Sequence, residues 1–263
     1  MPKYRFFSDV HANTSVKTSE ADIFQSTARW AFIDFCRSSA ADPDTTGIVS
    51  VGDLWDCSLE HTVDDVMKDE RCITLRGWLQ VVALTKKVFL VAGNHDNYVD
   101  LTPADRAQFE EWLGPNIHLT GEATDGDHWI AQHGHQFDIS TGWWKFAVTT
   151  LRKALGIRKA TAFIAWVIKW WVYHGRVPTV SAALKAAPPP ARSFLEKWII
   201  DRELNWLRTH PYTNLVTGHT HQALRFQQSP NRFLLNCGTW AEKKFTWVEI
   251  DDKGVGSIKE WLK

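Results

Sequence analysis

Short runs of β-branched or aromatic residues alternate along the chain with clusters of polar residues, and this order recurs five times. Each run has the length and composition of a buried strand, and its polar cluster begins where the run ends. The runs and their clusters are 3–8 before Asp9-Val10-His11, 48–51 before Gly52-Asp53-Leu54-Trp55-Asp56, 88–92 before Gly93-Asn94-His95-Asp96, 129–132 before His133-Gly134-His135, and 214–217 before Gly218-His219-Thr220-His221. We therefore predict five strands that end in five polar loops.

Helical patterns separate the first of these strands. The predicted helices are one that Ser19 caps, with Ile23, Thr27, Trp30, Ala31 and Phe35 on one face, a second marked by Leu75, Trp78, Leu79 and Val82, and a third from Thr102 and Pro103 to Gly114. Strand, helix, strand order predicts parallel pairing, and open α/β sheets gather their chemistry at the carboxyl ends of the strands. After residue 213, short runs at 222–226, 232–236, 245–250 and 255–260 predict an antiparallel portion.

The segment 139–195 differs from the rest of the chain in composition. It has nine Lys and Arg residues and five Trp residues but no Asp or Glu. Its apolar run, 160–168, is too short to span a bilayer, which takes about 20 residues. We predict a stiff turn at Pro188-Pro189-Pro190 before a helix around 194–207. The chain then divides into a core, 1–138 and 213–263, and a basic, Trp-rich helical insertion, 139–212, that acts as a cap or lid.

Bulk composition excludes several classes of protein. With 44% hydrophobic and 23% charged residues the chain is globular, and its formal net charge of zero gives no overall attraction to nucleic acid or acidic lipid. No apolar run of signal-peptide length precedes Asp9, so we expect no secretory leader and a cytoplasmic protein. The four cysteines lack C-x-x-C spacing, so we expect reduced, packed thiols and neither a disulfide framework nor a thiolate zinc site.

The five polar clusters together suggest a metal centre. A single Asp, Asn or His after a strand is usually a turn, a cap or a hydrogen-bonded surface residue. Here two carboxylates, one amide and four imidazoles follow strands in one chain, and this donor set suits two divalent ions. We favour Mn²⁺, with Fe, Zn²⁺ and Co²⁺ as alternatives, because no thiolate takes part.

In order along the chain, the blocks D-x-H, G-D-x-x-D, G-N-H-D, H and G-H-x-H resemble those of the calcineurin-like metallophosphoesterases, over residues 5–138 and 214–240. The resemblance implies an α/β fold, a four-layer αββα sandwich of two mixed sheets flanked by helices. It also implies one ion held by Asp9, His11, Asp53 and His221, and a second held by Asp53, Asn94, His133 and His219. Asp53 would bridge the two ions.

Other polar residues take roles around these ligands. His95 is a motif histidine that this scheme leaves without a metal, so we expect it to face the substrate with Asn94 and to serve in catalysis. Asp56 is placed to hydrogen-bond His95 and fix its tautomer. His135 fits a substrate contact or a structural hydrogen bond equally well. We expect Asp96 to orient its loop, and we expect structural roles for Asp138 and Trp240, the second as a packed aromatic.

The layout of the chain is nearest to the UDP-2,3-diacylglucosamine hydrolases, which cleave a pyrophosphate. Two features depart from the family's branches. Cys57-Ser58 follow Asp56 where protein phosphatases have Arg-Gly, and His95 stands where the diacylglucosamine hydrolases usually have Arg. We therefore expect a phosphoester or pyrophosphate hydrolase whose substrate is nucleotide-linked or lipid-linked.

Two alternatives stay open for the function. One is a soluble nucleotide phosphodiesterase or tetraphosphatase, and the other is a non-catalytic interaction scaffold of the same fold. The cationic, Trp-rich segment suits an anionic amphiphile or a membrane surface, but an aromatic stripe is as often core packing. We find no sequence motif for nucleic-acid binding, and the sequence does not indicate an oligomeric state.

Overall fold

The computed structural model describes residues 1–12, 28–55, 62–96, 98, 101–137, 189–240 and 245–261, without the side chains of 189–196 and 198. The chain divides into two compact units. One consists of Met1–His133 and Trp206–Lys263, and the other is Gly134–Asn205. Most of the second unit is the predicted insertion, whose residues 139–188 lie outside the described part of the chain. Its action as a cap or lid stays a prediction.

The described residues form eleven strands and five helices. The strands are β1 (Lys3–Phe7), β2 (Thr45–Val51), β3 (Lys87–Val91), β4 (Ile117–Thr120), β5 (Ala123–Thr124), β6 (Trp129–Ala131), β7 (Asn214–Thr217), β8 (Ala223–Ser229), β9 (Arg232–Cys237), β10 (Thr246–Asp251) and β11 (Gly256–Glu260). The helices are α1 (Arg29–Ala41), α2 (Val63–Lys68), α3 (Glu70–Ala83), α4 (Pro103–Leu113) and α5 (Pro189–Thr209). A short 3-10 helix spans His135–Phe137.

The strands of the first unit form two mixed sheets. One sheet has six strands in the order β11-β10-β1-β2-β3-β4, and the other has five in the order β5-β6-β7-β9-β8. Strands β1 to β4 run parallel, as do β6, β7 and β9, whereas β5, β8, β10 and β11 pair antiparallel. The two mixed sheets with their helices confirm the predicted fold class.

Successive side chains of the six-stranded sheet enter two different cores, as expected for a strand buried on both faces. On β1, Phe6 packs with Val49 of β2 and Trp129 of β6 between the two sheets. Its neighbour Phe7 packs with Phe32 of α1 on the helical side. One face of this sheet therefore contacts the second sheet and the other contacts helices.

Helices α1, α3 and α4 lie where helices were predicted, although Ser19, Ile23 and Thr27 of the first predicted helix lie outside the described residues. Leu75, Leu79 and Val82 of α3 are buried, and Thr102 caps α4 by accepting a hydrogen bond from Asp105 N at 3.1 Å. The prediction that Trp30 shares one face with Ala31 and Phe35 is wrong, because Trp30 is 63% exposed whereas the other two residues are buried. The buried face of α1 is Ala31, Phe32, Ile33, Phe35, Cys36 and Ser39, and a residue one position before this face points about 100° away from it.

Two further predictions need correction. The short strands after residue 213 are present, but they do not form one antiparallel portion, because β8 and β9 join the second sheet while β10 and β11 join the first. The prolines at 189 and 190 do not precede the helix but lie in the first turn of α5, where the missing amide proton breaks no helical hydrogen bond. Strands β4 and β5 were not predicted, since their short runs carry no clear period.

Two other expectations concern the cysteines and the membrane. Cys36, Cys72 and Cys237 are buried free thiols, as predicted, and Cys57 lies outside the described residues. Within the part of the chain that the structure describes, we find no helix with the length and apolar content to cross a bilayer.

Candidate metal centre

The loops that follow β1, β2, β3, β6 and β7 meet in the first unit. Parallel pairing places the carboxyl ends of β1, β2 and β3 side by side in one sheet, and those of β6 and β7 in the other. Backbone hydrogen bonds join neighbouring loops: His11 N donates to Asp53 O at 3.0 Å, and Gly218 N donates to His133 O at 3.0 Å. Nε2 of His133 lies 3.1 Å from Oδ2 of Asp53, so the polar side chains of both sheets converge on one site.

The Asp9 carboxylate has one oxygen held by protein donors and one that faces imidazoles. Its Oδ2 accepts hydrogen bonds from the Ser8 hydroxyl at 2.5 Å and from His219 N at 2.9 Å. Its Oδ1 lies 3.1 Å from Nε2 of His221 and 3.9 Å from Nε2 of His11. Because Asp9 is fully buried and fixed through Oδ2, the oxygen presented to the two histidines is Oδ1.

The Asp53 carboxylate likewise has one oxygen that accepts a hydrogen bond and one that faces imidazoles. Its Oδ1 accepts a hydrogen bond from His95 N at 2.9 Å, and its Oδ2 lies 3.1 Å from Nε2 of His133 and 3.9 Å from Nε2 of His11. Gly93 leaves the space for this carboxylate, because a Cβ at that position would overlap it. One oxygen of Asp53 thus faces nitrogens from two separate loops.

His133 presents Nε2 to two oxygens. Its Nδ1 lies 2.7 Å from Val51 O, which fixes a proton on Nδ1. Its Nε2 lies 3.2 Å from Asn94 Oδ1 and 3.1 Å from Asp53 Oδ2, and neither oxygen is a donor. The three atoms therefore favour a positive charge between them, supplied by a proton or by a metal ion. The ring of His219 lies beside His133, with 5.2 Å between centroids.

Among the described residues, three sets of side chains bring ligand atoms within 4.8 Å of one another. They are Asp9, His11 and His221; His11, Asp53 and His95; and Asp9, Asp53 and His133. The structure thus brings together all four residues predicted for the first ion. Of the second set it joins Asp53, Asn94 and His133 directly, with His219 adjacent.

The structure describes some of the other predicted site residues and not others. The ring of His95 meets that of His11 edge to face at 4.9 Å, and it forms a ligand set with His11 and Asp53, so this position suits a metal ligand as well as a group that faces substrate. His135 lies in the second unit. Asp56 and Asp138 fall outside the described residues, so the predicted pairing of Asp56 with His95 stays a prediction. Trp240 is fully buried, as expected of a packed aromatic.

Both carboxylates of the centre are ionised at neutral pH. Burial alone would raise the pKa of Asp9, but the nearby His221 lowers it to about 2. Burial would likewise raise the pKa of Asp53, but His133 holds it well below its usual range. The site therefore keeps two negative charges in a buried position, which attracts cations.

The pKa values of two imidazoles of the centre are shifted in opposite directions. Burial lowers the pKa of His11 to about 4, so this ring is neutral at neutral pH and has a lone pair for a metal. Burial would also lower the pKa of His133, but the Asp53 carboxylate raises it to about 10. In the metal-free protein His133 is therefore an imidazolium, the proton of which occupies the position that a cation would take.

The backbone of the centre is strained. Among the described residues, the non-glycine positions with positive φ are Asp9, His11, Asp53, His219 and His221, with φ between 49° and 67°. Each is a predicted metal ligand, and a side chain in this left-handed region costs about 1–3 kcal/mol. Such strain persists where the surrounding structure requires it, typically at functional sites.

A comparison with protein families agrees with this geometry. The family model described as calcineurin-like phosphoesterase matches residues 3–223. The chain belongs to the calcineurin-like phosphoesterases. This family uses divalent metal ions, and the oxygen and nitrogen donors of the centre fit such ions, with Asp9 Oδ1 and Asp53 Oδ2 both directed at imidazoles.

Other comparisons gave matches to solved structures and none to curated proteins. Similar structures include Vacuolar Protein Sorting 29 from Cryptosporidium parvum, at 14% identity over 100% of this chain and 98% of that chain, with a TM-score of 0.40. They also include a dimetal phosphatase from Danio rerio, at 14% identity over 98% and 95%, with a TM-score of 0.46. A third is a protein of Thermus thermophilus called TT1561, at 9% identity over 98% of both chains, with a TM-score of 0.49.

Sequence reasoning missed two side-chain hydroxyl donors in the loops around the centre of this phosphoesterase. Ser8 holds Asp9 from the last position before the loop, and Tyr98 donates to Asp96 Oδ2 at 2.8 Å. A serine before D-x-H and a tyrosine two residues after G-N-H-D are the only signals that the sequence offers. Neither type of residue ligates the predicted ions, so neither drew attention.

We predict that metal affinity rises with pH. An ion that binds Nε2 must displace the His133 proton, which is held up to about pH 10, whereas Asp9 and His11 are already deprotonated. One released proton gives an affinity about tenfold higher per pH unit between about pH 6 and about pH 8. Calorimetric titration with Mn²⁺, repeated in buffers of different ionisation enthalpy, measures both the affinity and the proton. An affinity that is constant across this range would contradict the assignment of His133.

Proposed function

We propose that this calcineurin-like phosphoesterase is an active hydrolase of phosphoester or pyrophosphate bonds that requires two divalent metal ions. The observation that carries the proposal is the position of Asp53 Oδ2, which lies 3.1 Å from His133 Nε2 and 3.9 Å from His11 Nε2. This one carboxylate oxygen thus lies near a nitrogen donor from each of the two predicted ligand sets. A shared carboxylate of this kind suits a pair of ions about 3.5–4 Å apart.

The residues that would hold the ions follow from the family motifs and from these contacts. They are Asp9, His11, Asp53 and His221 for one ion, and Asp53, Asn94, His133 and His219 for the other. When bound, such ions lower the pKa of a water to about 7 and stabilise the charge on the phosphoryl oxygens.

The chain's own residues orient these groups and move protons. Val51 O keeps a proton on Nδ1 of His133 and so directs Nε2 toward Asp53 and Asn94. His95 lies at the edge of the centre, where its backbone N donates to Asp53 and its ring contacts His11. We assign to the His95 ring the transfer of a proton to the leaving oxygen, a step in which histidine is the commonest donor.

For the substrate we propose a nucleotide-linked or lipid-linked phosphate. The support is compositional: segment 139–195 has nine cationic side chains, five tryptophans and no acidic residue, a combination that suits an anionic amphiphile. The same segment would give peripheral contact with an anionic membrane surface. A soluble nucleotide is the alternative substrate, and the two differ in whether an acyl chain improves kcat/KM.

A paired hydrolysis assay tests the proposal. Bis-p-nitrophenyl phosphate and UDP-diacylglucosamine are incubated with the protein in parallel, with Mn²⁺ or with EDTA. We expect hydrolysis of at least one of them that depends on Mn²⁺, and faster turnover of the lipid-linked pyrophosphate. Protein that binds Mn²⁺ but cleaves neither these compounds nor a panel of nucleotides would support an interaction scaffold instead.

A further inference from the structure

Asp96 lies beneath the metal centre and is not a ligand in either predicted set. Its carboxylate is fully buried and accepts five hydrogen bonds, all from donors in two loops. Oδ1 accepts from Gly93 N at 2.7 Å and Asp53 N at 3.1 Å, and Oδ2 accepts from Leu54 N at 2.6 Å, Trp55 N at 3.4 Å and the Tyr98 hydroxyl at 2.8 Å.

We propose that Asp96 is a positioning residue that sets the place of the Asp53 carboxylate, and with it the spacing of the two ions. The inference rests on the proposed function, because it concerns the same centre. The loop after β2 supplies the shared ligand Asp53, and the loop after β3 supplies Asn94. Asp96 joins these loops through backbone amides some 42 positions away in the sequence, so it fixes one relative to the other.

Asp53 is held at both ends of its backbone. Its N–H donates to Asp96, and its carbonyl oxygen accepts from His11 N at 3.0 Å. Between these bonds the residue adopts a φ of 54°, which a non-glycine residue leaves when nothing holds it. Loss of the bond from Asp53 N would let the backbone relax and carry the carboxylate away from His133.

A carboxylate is required at this position because every partner is a donor. An asparagine has nearly the same shape, but its amide nitrogen would replace one of the two oxygens. That nitrogen would face either the two N–H groups at Oδ1 or the three donors at Oδ2. Asp96→Asn therefore loses at least two of the five hydrogen bonds with almost no change in volume.

Tyr98→Phe is the matched control. It removes one hydroxyl from Oδ2 and leaves all four bonds to backbone amides in place. Since Tyr98 is itself buried, both variants disturb the same region of the core. A general loss of packing or stability would affect the two alike, whereas a positioning role through the amides affects only Asp96→Asn.

The test measures metal binding without turnover. Co²⁺ is titrated into metal-free wild type, Asp96→Asn and Tyr98→Phe, and the visible absorption reports the affinity of each site. We expect Asp96→Asn to bind about 10–100-fold more weakly, as when an outer partner of a metal ligand is lost, and Tyr98→Phe to bind as wild type does. We also expect excess Mn²⁺ to restore part of the kcat of Asp96→Asn. Unchanged Co²⁺ affinity in Asp96→Asn, or an equal loss in Tyr98→Phe, would overturn the proposal.

Amide hydrogen exchange of the wild-type protein gives a second measurement that needs no variant. If Asp96 positions the loops by itself, the amides of Gly93, Asp53 and Leu54 are as protected without metal as with it. Exchange that becomes fast on metal removal would mean that the ions, and not Asp96, order the loops. A wild-type protein that binds no ion at all would overturn the proposed function and this inference together. An Asp96→Asn variant that binds Co²⁺ as tightly as wild type and turns over at the wild-type rate without excess Mn²⁺ would overturn this inference alone.

Discussion

Replacing Asp53 with asparagine is expected to abolish metal-dependent hydrolysis. The oxygen that faces both His133 and His11 would lose its charge or be replaced by an amide nitrogen, so both ions would bind weakly. Bound ions contribute several kcal/mol to the stabilisation of the transition state, and each 1.36 kcal/mol is tenfold in rate. We expect kcat/KM with bis-p-nitrophenyl phosphate to fall by at least about a thousandfold, measured together with the metal content of the protein.

Asp125→Asn is the matched control for this experiment. Asp125 also accepts hydrogen bonds from backbone amides, His128 N at 2.8 Å and Trp129 N at 2.9 Å, but it precedes β6, at the opposite end of that strand from His133. We expect its metal content and turnover to equal those of wild type. An Asp53→Asn variant that keeps both ions and full turnover would contradict the shared-ligand role.

Replacing His95 with asparagine is expected to slow the chemical step by about two to four orders of magnitude while both ions stay bound. The reason is loss of the proton donor for the leaving oxygen. An alkyl leaving group needs that proton, whereas p-nitrophenolate leaves readily without it. We therefore expect the larger loss of kcat with an alkyl phosphodiester and the smaller loss with bis-p-nitrophenyl phosphate.

His118→Asn serves as the control, because His118 is exposed on β4 and belongs to none of the ligand sets. Its metal content and both rates should match those of wild type. The position of His95 next to His11 and Asp53 makes the metal content of His95→Asn decisive. If this variant loses as much metal as Asp53→Asn does, His95 is a ligand and the assignment of the proton donor is wrong.

The strands that carry the site were predictable because local physics determines them. β2 and β3 are rich in β-branched and apolar residues and mostly buried toward their carboxyl ends, and these runs end shortly before or at Gly52 and Gly93. Pairing was less predictable. β9 lies parallel to β7 although it follows β8 through a tight turn, and only the contacts between distant segments decide to which sheet it belongs.

The metal centre, like the pairing of the strands, could be predicted only in part from the sequence. The ordered motifs of the sequence indicated which residues would meet, and the structure brings Asp9, His11, Asp53 and His221 together. They gave no information on which carboxylate oxygen faces which imidazole, because backbone amides from other loops decide that. The five hydrogen bonds of Asp96 could not be predicted for the same reason, since four of their donors are backbone amides, which do not depend on the type of side chain.

We propose that two divalent ions share the Asp53 carboxylate. Crystals of the metal-free protein soaked in Mn²⁺, with diffraction data recorded at the manganese absorption edge, test this sharing. We expect two anomalous peaks about 3.5–4 Å apart, one on each side of Asp53. One peak remote from Asp53, or none while the side chains of His133 and His11 point away from it, would contradict a shared Asp53.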